Sequence, residues 1–191
     1  MRKNYLFLSC LVCAILLWFN GCGDSQSKSY YEQFSKDFAS LDKSQKSFIQ
    51  NTYHSLEQEQ YPDDFIYALL AIAWQESSFG KNVYNHKDPS CGAYQQIMAK
   101  HYLNHLGLKD QSLWAKSELC LVLIENQGSA LSQAIDRLKE WQRKYKDKQD
   151  MWEYVFRSYN VGHNHNKEEG KVYAKMIKAR IKVIKDNIKE I

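Results

Sequence analysis

The stretch PDDFIYALLAIAWQESSFG, residues 62–80, decides the fold of this chain. Pro62 followed by two aspartates is a helix-start signal, because acidic side chains interact favourably with the positive end of a helix dipole. The predicted helix runs to about Ser77. One face of this helix carries an apolar stripe that ends in a carboxyl group: Phe65, Leu69, Ile72 and Glu76. Glu76 therefore continues an apolar face, although a helix end that points into water is the alternative.

The remainder of the chain shows helical periodicity, and no convincing alternating β pattern is present. Eight glycines and two prolines in 191 residues leave long stretches free to be helical. The predicted helical segments are 30–60 (interrupted near 42–44), 95–106, a segment that starts at Ser112 or Ser117 and is interrupted at Gly128, 151–159 (capped by Asp150) and 168–191. We therefore expect a single all-α domain over residues 30–191, with a loop or a small strand pair near 80–95.

Length and charge limit the kind of protein this is. The chain is long enough for one domain with a real core, and it shows no internal repeat. Its formal net charge is +4, which falls to +2 if Arg2 and Lys3 are removed with the N-terminal segment. This modest positive charge does not indicate a nucleic-acid-binding patch. It is consistent either with binding to a negatively charged polymer surface or with ordinary solubility.

The N-terminus has the pattern of a bacterial export signal. A positively charged start precedes a 14-residue apolar run, 6–19, which is short for a membrane span and typical of a signal peptide. The run ends in FNGC, which resembles a lipoprotein signal. We predict a signal peptide over 1–21, lipid modification of Cys22 and a polar tether over 22–29. Asn20 is not the usual small residue at its position, so export without a lipid and a retained membrane anchor stay open.

Export also bears on the cysteines. Cys10 and Cys13 leave with the signal peptide, and Cys22 takes the lipid. Cys91 and Cys120 then remain in a compartment where disulfides persist. Either these two form a disulfide, or they are two separate thiols with Cys120 buried in a helix.

The position of Glu76 has a chemical consequence. Apolar neighbours and the negative end of the helix dipole both disfavour its anion, so both raise the pKa of its carboxyl group. A carboxylic acid that is still protonated near neutral pH can act as a general acid and protonate a leaving oxygen.

Three short motifs connect this glutamate with a known family. ESSFG at 76–80, CGAYQQIM at 91–98 and SYNVG at 158–162 occur in this order. They resemble the glutamate-serine-x-phenylalanine, glycine-leucine-methionine-glutamine and alanine-tyrosine-asparagine-x-glycine motifs of lytic transglycosylases with a goose-type-lysozyme-like catalytic domain. The matching positions are Glu76, Ser77, Phe79, Gly92, Gln95, Tyr159, Asn160 and Gly162. The resemblance covers about 62–180 and includes a weaker echo of the helix that closes the family's domain, in Glu169 and Tyr173.

The resemblance implies a lysozyme-like helical fold and a function. The substrate would be peptidoglycan, cut at the β-1,4 bond between N-acetylmuramic acid and N-acetylglucosamine with formation of a 1,6-anhydro sugar. Glu76 would serve as the sole general acid and base, and Tyr159 would hydrogen-bond and orient it. Gln95 and Asn160 would bind sugar amides or hydroxyls, and Ser77 would position substrate.

The resemblance implies structural roles for other residues in these motifs. Gly92 and Gly162 would meet backbone requirements, and Phe79 would pack in the core. The second motif departs from the family pattern at Ala93 and Tyr94, which puts the sugar subsites in doubt. A third, small departure is a serine in place of alanine at the start of SYNVG.

No further catalytic group is indicated. Asp88, Glu118 and Glu125 have no matching family role and are expected to be solvated, so a one-carboxylate mechanism is simpler than the usual carboxylate pair. The histidines lack the spacing and third ligand of a zinc site, so no metal or cofactor is expected. These histidines are His101, His105, His163 and His165.

Two other functions compete with a transglycosylase. One is a non-catalytic peptidoglycan-binding lipoprotein that keeps a degenerate lysozyme-like fold, and the other is a hydrolytic lysozyme. The expected location is the periplasm of a Gram-negative bacterium, attached through Cys22 to a membrane. Gly23 after the cysteine favours the outer membrane. General wall remodelling and service to a secretion or conjugation machine stay open.

Overall fold

The computed structural model of the protein describes residues 26–84, 90–97 and 112–191. These residues are mostly helical, which confirms the predicted all-α class. The helices are α1 (described over 26–39), α2 (Lys43–Gln58), α3 (Asp63–Ser77), α4 (Leu113–Glu125), α5 (Gln127–Tyr145), α6 (Met151–Val161) and α7 (Glu168–Asn187), the last continued by a 3₁₀ turn (Ile188–Glu190). Two strands lie between α3 and α4: β1 (Ser90–Cys91) and β2 (Gln96–Ile97).

Helix α3 is the centre of the domain. Every residue from 68 to 73 is fully buried, so the helix is covered all round rather than along one face. Such a helix is hydrophobic on every side and needs neighbours on every side. Helices α2 and α7 pack directly against it, and α7 also packs against α6, which packs against α5. This arrangement brings the C-terminal end of α3 next to the middle of α7, although the two are far apart in sequence.

The start of α2 is fastened to the end of α3. Asp42 caps α2 in a capping box with Gln45, which fulfils the break predicted near 42–44. The Gln45 amide also donates to the carbonyl and hydroxyl oxygens of Ser78, both at 2.9 Å. Across the same gap, the Lys81 ammonium lies 2.9 Å from the Asp42 carboxylate. The turn after α3 is therefore held from the side by the first turn of α2.

The predicted strand pair is present as a short antiparallel hairpin. Ser90 pairs with Ile97 and Cys91 with Gln96. A disulfide joins Cys91 to Cys120, with Cα atoms 5.5 Å apart, so the hairpin is covalently fastened to α4. Of the two alternatives for these cysteines, the structure therefore contains the bonded one.

Several predicted boundaries were wrong. Residues 26–29, expected to belong to the tether, are helical and form the described start of α1. The break between α4 and α5 falls at Asn126, which caps α5 through its side chain, and Gly128 lies inside the first turn. Asp150 precedes α6 as predicted but makes no capping hydrogen bond, because its carboxylate pairs with Lys178.

Some predictions fall on residues that are not described. The signal peptide, Cys22, Asp88, His101, His105 and most of the segment 95–106 belong to this group. The described part of that segment is not helical, since residues 96–97 form β2. Across residues 26–84, 90–97 and 112–191, no helix combines the length and apolar character needed to cross a membrane.

Candidate active site

The motif ESSFG forms an abrupt turn at the end of α3. Ser78 and Phe79 both have positive φ, at 54° and 59°, which costs a non-glycine residue roughly 1–2 kcal/mol. Their amides bond back to the carbonyls of Trp74 and Ala73, which closes the helix end. Phe79 is buried as expected and packs among aromatic rings, so burial of its ring offsets the strain. The carboxyl group of Glu76 is thereby held in the last turn of a rigid helix.

The hydroxyl of Tyr173, on α7, donates a 2.5 Å hydrogen bond to Oε1 of Glu76. The two residues are 97 positions apart, and the packing of α7 on α3 brings them together. The family resemblance implied a hydrogen bond to Glu76 from Tyr159. Tyr159 instead donates to the backbone carbonyl of Tyr94 at 3.1 Å. In the sequence, Tyr173 belongs only to the weaker echo of the family's closing helix, together with Glu169.

Burial raises the pKa of the Glu76 carboxyl group above its ordinary value of 4.5. Three effects act against this rise: the hydrogen bond from Tyr173 and the positive charges of Arg137 and Arg180. Burial also keeps the pKa of the Tyr173 hydroxyl well above 10, so Tyr173 stays a hydrogen-bond donor. The site therefore favours a neutral carboxylic acid while retaining groups that stabilise its anion.

Glu76 lines a cleft of about 430 Å³ between the end of α3, α1, the start of α2 and α7. Its lining is mostly polar and combines both signs of charge with amides and hydroxyls. The charged members are Asp37, Glu76, Lys81 and Arg180. A cleft of this size and chemistry suits a sugar unit, which offers many hydroxyl groups and one or two amides.

A second cleft, of about 570 Å³, lies between α1 and α7. Lysine side chains dominate its wall, including Lys28, Lys175 and Lys182, and no carboxyl group lines it. Among the described residues, it therefore offers no carboxylic acid of the kind found in the Glu76 cleft. Within the described ranges, no three His, Cys, Asp or Glu side chains gather where they could hold a metal ion.

Ser77 and Gln95 are engaged inside the protein. The Ser77 hydroxyl is buried, lies 2.7 Å from the carbonyl oxygen of Ala93 and accepts a bond from the Gly80 amide at 2.8 Å. The Gln95 side chain bonds within its own loop, to Ser90 and to the carbonyls of Asn82 and Gly92. Ser77 therefore holds the hairpin against the end of α3 and also lines the cleft of Glu76, whereas the Gln95 side chain fastens its own loop and does not line that cleft.

The neighbourhood of Tyr159 is also structural. Its phenol ring is buried, and Gln96 lies within 3.5 Å of its hydroxyl. Gln96, which has no predicted role, is thus the glutamine that turns toward Tyr159. Asn160, the next residue, is exposed and available to a ligand. The sequence contains two adjacent glutamines, and only the strand register shows which one turns inward.

The two departures from the family pattern lie in the core. Ala93 is 5% exposed and Tyr94 is fully buried, with its ring 6.3 Å from that of Phe48. Tyr94 therefore fills the interior beneath the hairpin instead of occupying a groove wall.

Two of the carboxylates that were expected to be solvated are described, and both are exposed. Glu118 and Glu125 are exposed on α4, and neither lines the cleft of Glu76. Asp37, which sequence reasoning missed, is an exposed carboxylate on α1 that does line it. No local motif distinguishes Asp37 from other surface acids, so only the packing of α1 against α3 reveals it.

Comparison with known proteins provides no independent assignment. A scan against protein-family models found no match, and searches of curated proteins and of solved structures found no similar protein. The argument for a function therefore depends on the motifs and on the geometry of the site.

Proposed function

We propose that this protein is a peptidoglycan lytic transglycosylase with Glu76 as its general acid and base. The observation that carries the proposal is the partly buried Glu76 carboxyl group, hydrogen-bonded by Tyr173 and open to a polar cleft. The ordered motifs ESSFG, CGAYQQIM and SYNVG support the same family of activity.

The chemistry assigned to Glu76 has two halves. The neutral acid first donates its proton to the oxygen that links N-acetylmuramic acid C1 to N-acetylglucosamine, and the C1–oxygen bond breaks. The resulting carboxylate then takes the proton of the muramic acid 6-hydroxyl as that oxygen bonds to C1. The products are a 1,6-anhydro sugar and a free sugar hydroxyl, water is not consumed, and Glu76 regains its proton.

Tyr173 fits this cycle because it hydrogen-bonds to only one of the two oxygens of the Glu76 carboxyl group. Its hydroxyl donates to Oε1, which leaves Oε2 to carry the acidic proton. The same hydrogen bond stabilises the carboxylate formed after proton donation, as do the charges of Arg137 and Arg180. Both protonation states that the mechanism requires are therefore supported by the surrounding groups.

A hydrolytic lysozyme is the second candidate, and Asp37 is the observation that favours it. Enzymes that add water commonly use two carboxylates, one acid and one that activates water or stabilises the cation. Asp37 lines the same cleft as Glu76 and is exposed, so it could bind a water molecule. In that mechanism the product carries a reducing end instead of an anhydro ring.

Digestion of purified peptidoglycan, followed by mass analysis of the fragments, separates the candidates. Wild-type protein is expected to release anhydro-ended fragments, and Glu76→Gln to reduce the rate by about 10²–10⁴-fold. Glu118→Gln, on the exposed face of α4, is the matched control and should retain full activity. Reducing ends that disappear in Asp37→Asn would replace the proposal with a lysozyme, and no cleavage by folded wild-type protein would favour a binding protein.

The proposed location is the periplasm, with the domain attached to a membrane through a lipid on Cys22. The support is the N-terminal sequence, since a positive start and a 14-residue apolar run precede the FNGC box. In cells fed a radiolabelled fatty acid, the wild-type protein is expected to carry label and to sediment with membranes. Cys22→Ser should lose the label, and equal labelling of both would contradict the assignment.

A further inference from the structure

Arg180 is a buried cation on a helix whose lysines lie at the surface. It is 9% exposed, whereas Lys175, Lys178 and Lys182 on the same helix are all exposed. Burial lowers the pKa of its guanidinium group to about 10, so the group still carries its charge at neutral pH. A charged side chain is seldom buried without a partner that compensates for lost hydration.

Aromatic rings supply part of that compensation. The guanidinium carbon lies 3.7 Å from the ring centre of Phe34 and 5.1 Å from that of Trp74. Such cation–π contacts hold the group against the rings by electrostatic attraction. They do not satisfy its hydrogen-bond donors, because an aromatic face is a poor substitute for an oxygen acceptor.

Two donor atoms of Arg180 lack acceptors among the described residues. Its Nε and Nη1 atoms are both buried, and no described residue accepts a hydrogen bond from either. Asp37 and Glu76 influence Arg180 through their charge, but neither forms an ion pair with it. A buried, unsatisfied donor destabilises the fold, and it does so more strongly when it is charged. The fold therefore holds a cation ready for an acceptor that the described residues do not supply.

The cleft of Glu76 is where that acceptor would come from. Arg180 and Glu76 line the same 430 Å³ space, together with Lys81 at its rim. With Glu76 neutral, as a general acid requires, the interior of the cleft has a positive charge and no fixed anion beyond exposed Asp37. A planar guanidinium group suits a carboxylate, which can accept two parallel hydrogen bonds from it.

We propose that Arg180 recognises a carboxylate carried by the muramyl residue of the substrate, and so distinguishes peptidoglycan from uncharged glucosamine polymers. This inference rests on the proposed function for the identity of the substrate. The carboxylate has two sources, the lactyl group of strands that have lost their peptides and the stem peptide of intact strands. A strand without any carboxylate leaves Arg180 unpaired in the cleft, which is a strong way to reject a wrong substrate.

The first test measures binding alone, so it does not depend on cleavage. Chemical-shift titrations would compare N-acetylmuramic acid, its lactyl methylamide and N-acetylglucosamine. Wild-type protein is expected to bind the free acid about tenfold more tightly than the two neutral sugars, and Arg180→Met to lose that preference. Met retains apolar contact with Phe34 and Trp74 and removes the unpaired charge, so the variant should fold. Arg143→Met, at an exposed position on α5, is the control and should keep the preference.

The second test identifies the source of the carboxylate. Glycan strands with free lactyl groups, the same strands as lactyl methylamides, and intact strands with and without amidated peptides would be compared for binding. A preference abolished by Arg180→Met and reduced in Arg180→Lys supports the proposal and names the source. Equal binding of acid and amide by wild-type protein overturns it, as does an Arg180→Met variant that keeps the wild-type preference. If wild-type protein prefers the carboxylate ligands but does not cleave glycan strands, the proposed enzymatic function is overturned and the role of Arg180 in binding is not.

Discussion

At the scale of single residues, the position of Glu76 raises the pKa of its carboxyl group. Burial disfavours the anion, and the Tyr173 hydroxyl and two arginines limit that penalty. When folding raises the pKa of a carboxyl group, the carboxylate is less stable in the folded protein than in the unfolded chain. Ionisation of that group therefore lowers the free energy of unfolding. Glu76, the proposed general acid, is therefore expected to destabilise the fold near neutral pH, and this destabilisation can be measured.

Replacing Glu76 with glutamine should stabilise the folded protein near neutral pH. The folded-state pKa lies above the ordinary 4.5, so between the two values the folded chain binds more protons than the unfolded chain. The free energy of unfolding of wild type therefore falls as pH rises through this window, and it stays lower above the folded pKa. Glutamine has no such titration and can still accept the Tyr173 hydrogen bond.

Thermal unfolding followed over a range of pH tests this expectation. At about pH 8 the melting temperature of Glu76→Gln should exceed that of wild type, by roughly 2–4 °C for each kcal/mol by which the substitution raises the free energy of unfolding. The difference in melting temperature should vanish near pH 4. Glu118→Gln, an exposed control, should show neither effect. A wild-type protein that is the more stable one at high pH would contradict the raised pKa.

Replacing Tyr173 with phenylalanine should change the pH dependence of activity. The lost hydrogen bond stabilises the Glu76 anion, so its removal raises the Glu76 pKa further. The alkaline limb of the rate profile should move to higher pH, and kcat should fall by about tenfold or more because the carboxyl group is less well oriented. Tyr61→Phe is the control, since that hydroxyl bonds to Lys139 outside the cleft, and it should leave the profile unchanged.

At the scale of elements, the decisive contact is between the hairpin and α4. Gly92 has φ of +78°, and a Cβ built there would lie 2.8 Å from the backbone carbonyl oxygen of Leu123 on α4. The adjacent Cys91 is bonded to Cys120 on the same helix. The hairpin therefore cannot move away from α4 easily, and the carbonyl it meets is backbone that cannot rotate aside.

Gly92→Ala should destabilise the protein by about 2–4 kcal/mol, the sum of a left-handed alanine and a backbone clash. Gly128→Ala is the matched control, because Gly128 lies in the first turn of α5 without a positive φ. That change should stay within about 1 kcal/mol of wild type. Urea unfolding monitored by circular dichroism would measure both, and equal effects of the two variants would refute the close approach at Gly92.

At the scale of the whole molecule, α1 completes both the core and the cleft. Phe34 and Phe38 are buried against Trp74 of α3, and Phe38 also contacts Phe79. The same helix carries Asp37 into the cleft. The described part of the domain therefore includes α1, whose residues 26–29 fall within the segment predicted as a tether.

Truncation would locate the start of the domain. A chain that begins at Gly23 should unfold cooperatively, whereas one that begins at Asp42 should lose at least about 5 kcal/mol, because two buried phenylalanines are removed. Since a domain of this size has only about 5–15 kcal/mol in total, the shorter chain should be largely unfolded. Thermal melts of both chains provide the comparison, and similar transitions would show that α1 is dispensable.

Local patterns in the sequence were sufficient for much of this structure. The helical class, the boundaries of α3 and the break at Asp42 follow from contacts between residues three or four positions apart. Glu76 could be singled out for the same reason, since its place at the end of an apolar helix is local information. The break predicted at Gly128 falls at Asn126 instead, because a glycine in the first turn of a helix is tolerated when a good cap precedes it.

The sequence by itself determined the helices and the acid at the end of one of them. Only the tertiary structure decided which groups surround that acid. Tyr173 and Arg180 reach the cleft from a helix about one hundred residues further along the chain, and Asp37 reaches it from the opposite direction. The physical reason is that helical periodicity is set by neighbouring residues, whereas the contacts around Glu76 depend on how whole helices pack against α3.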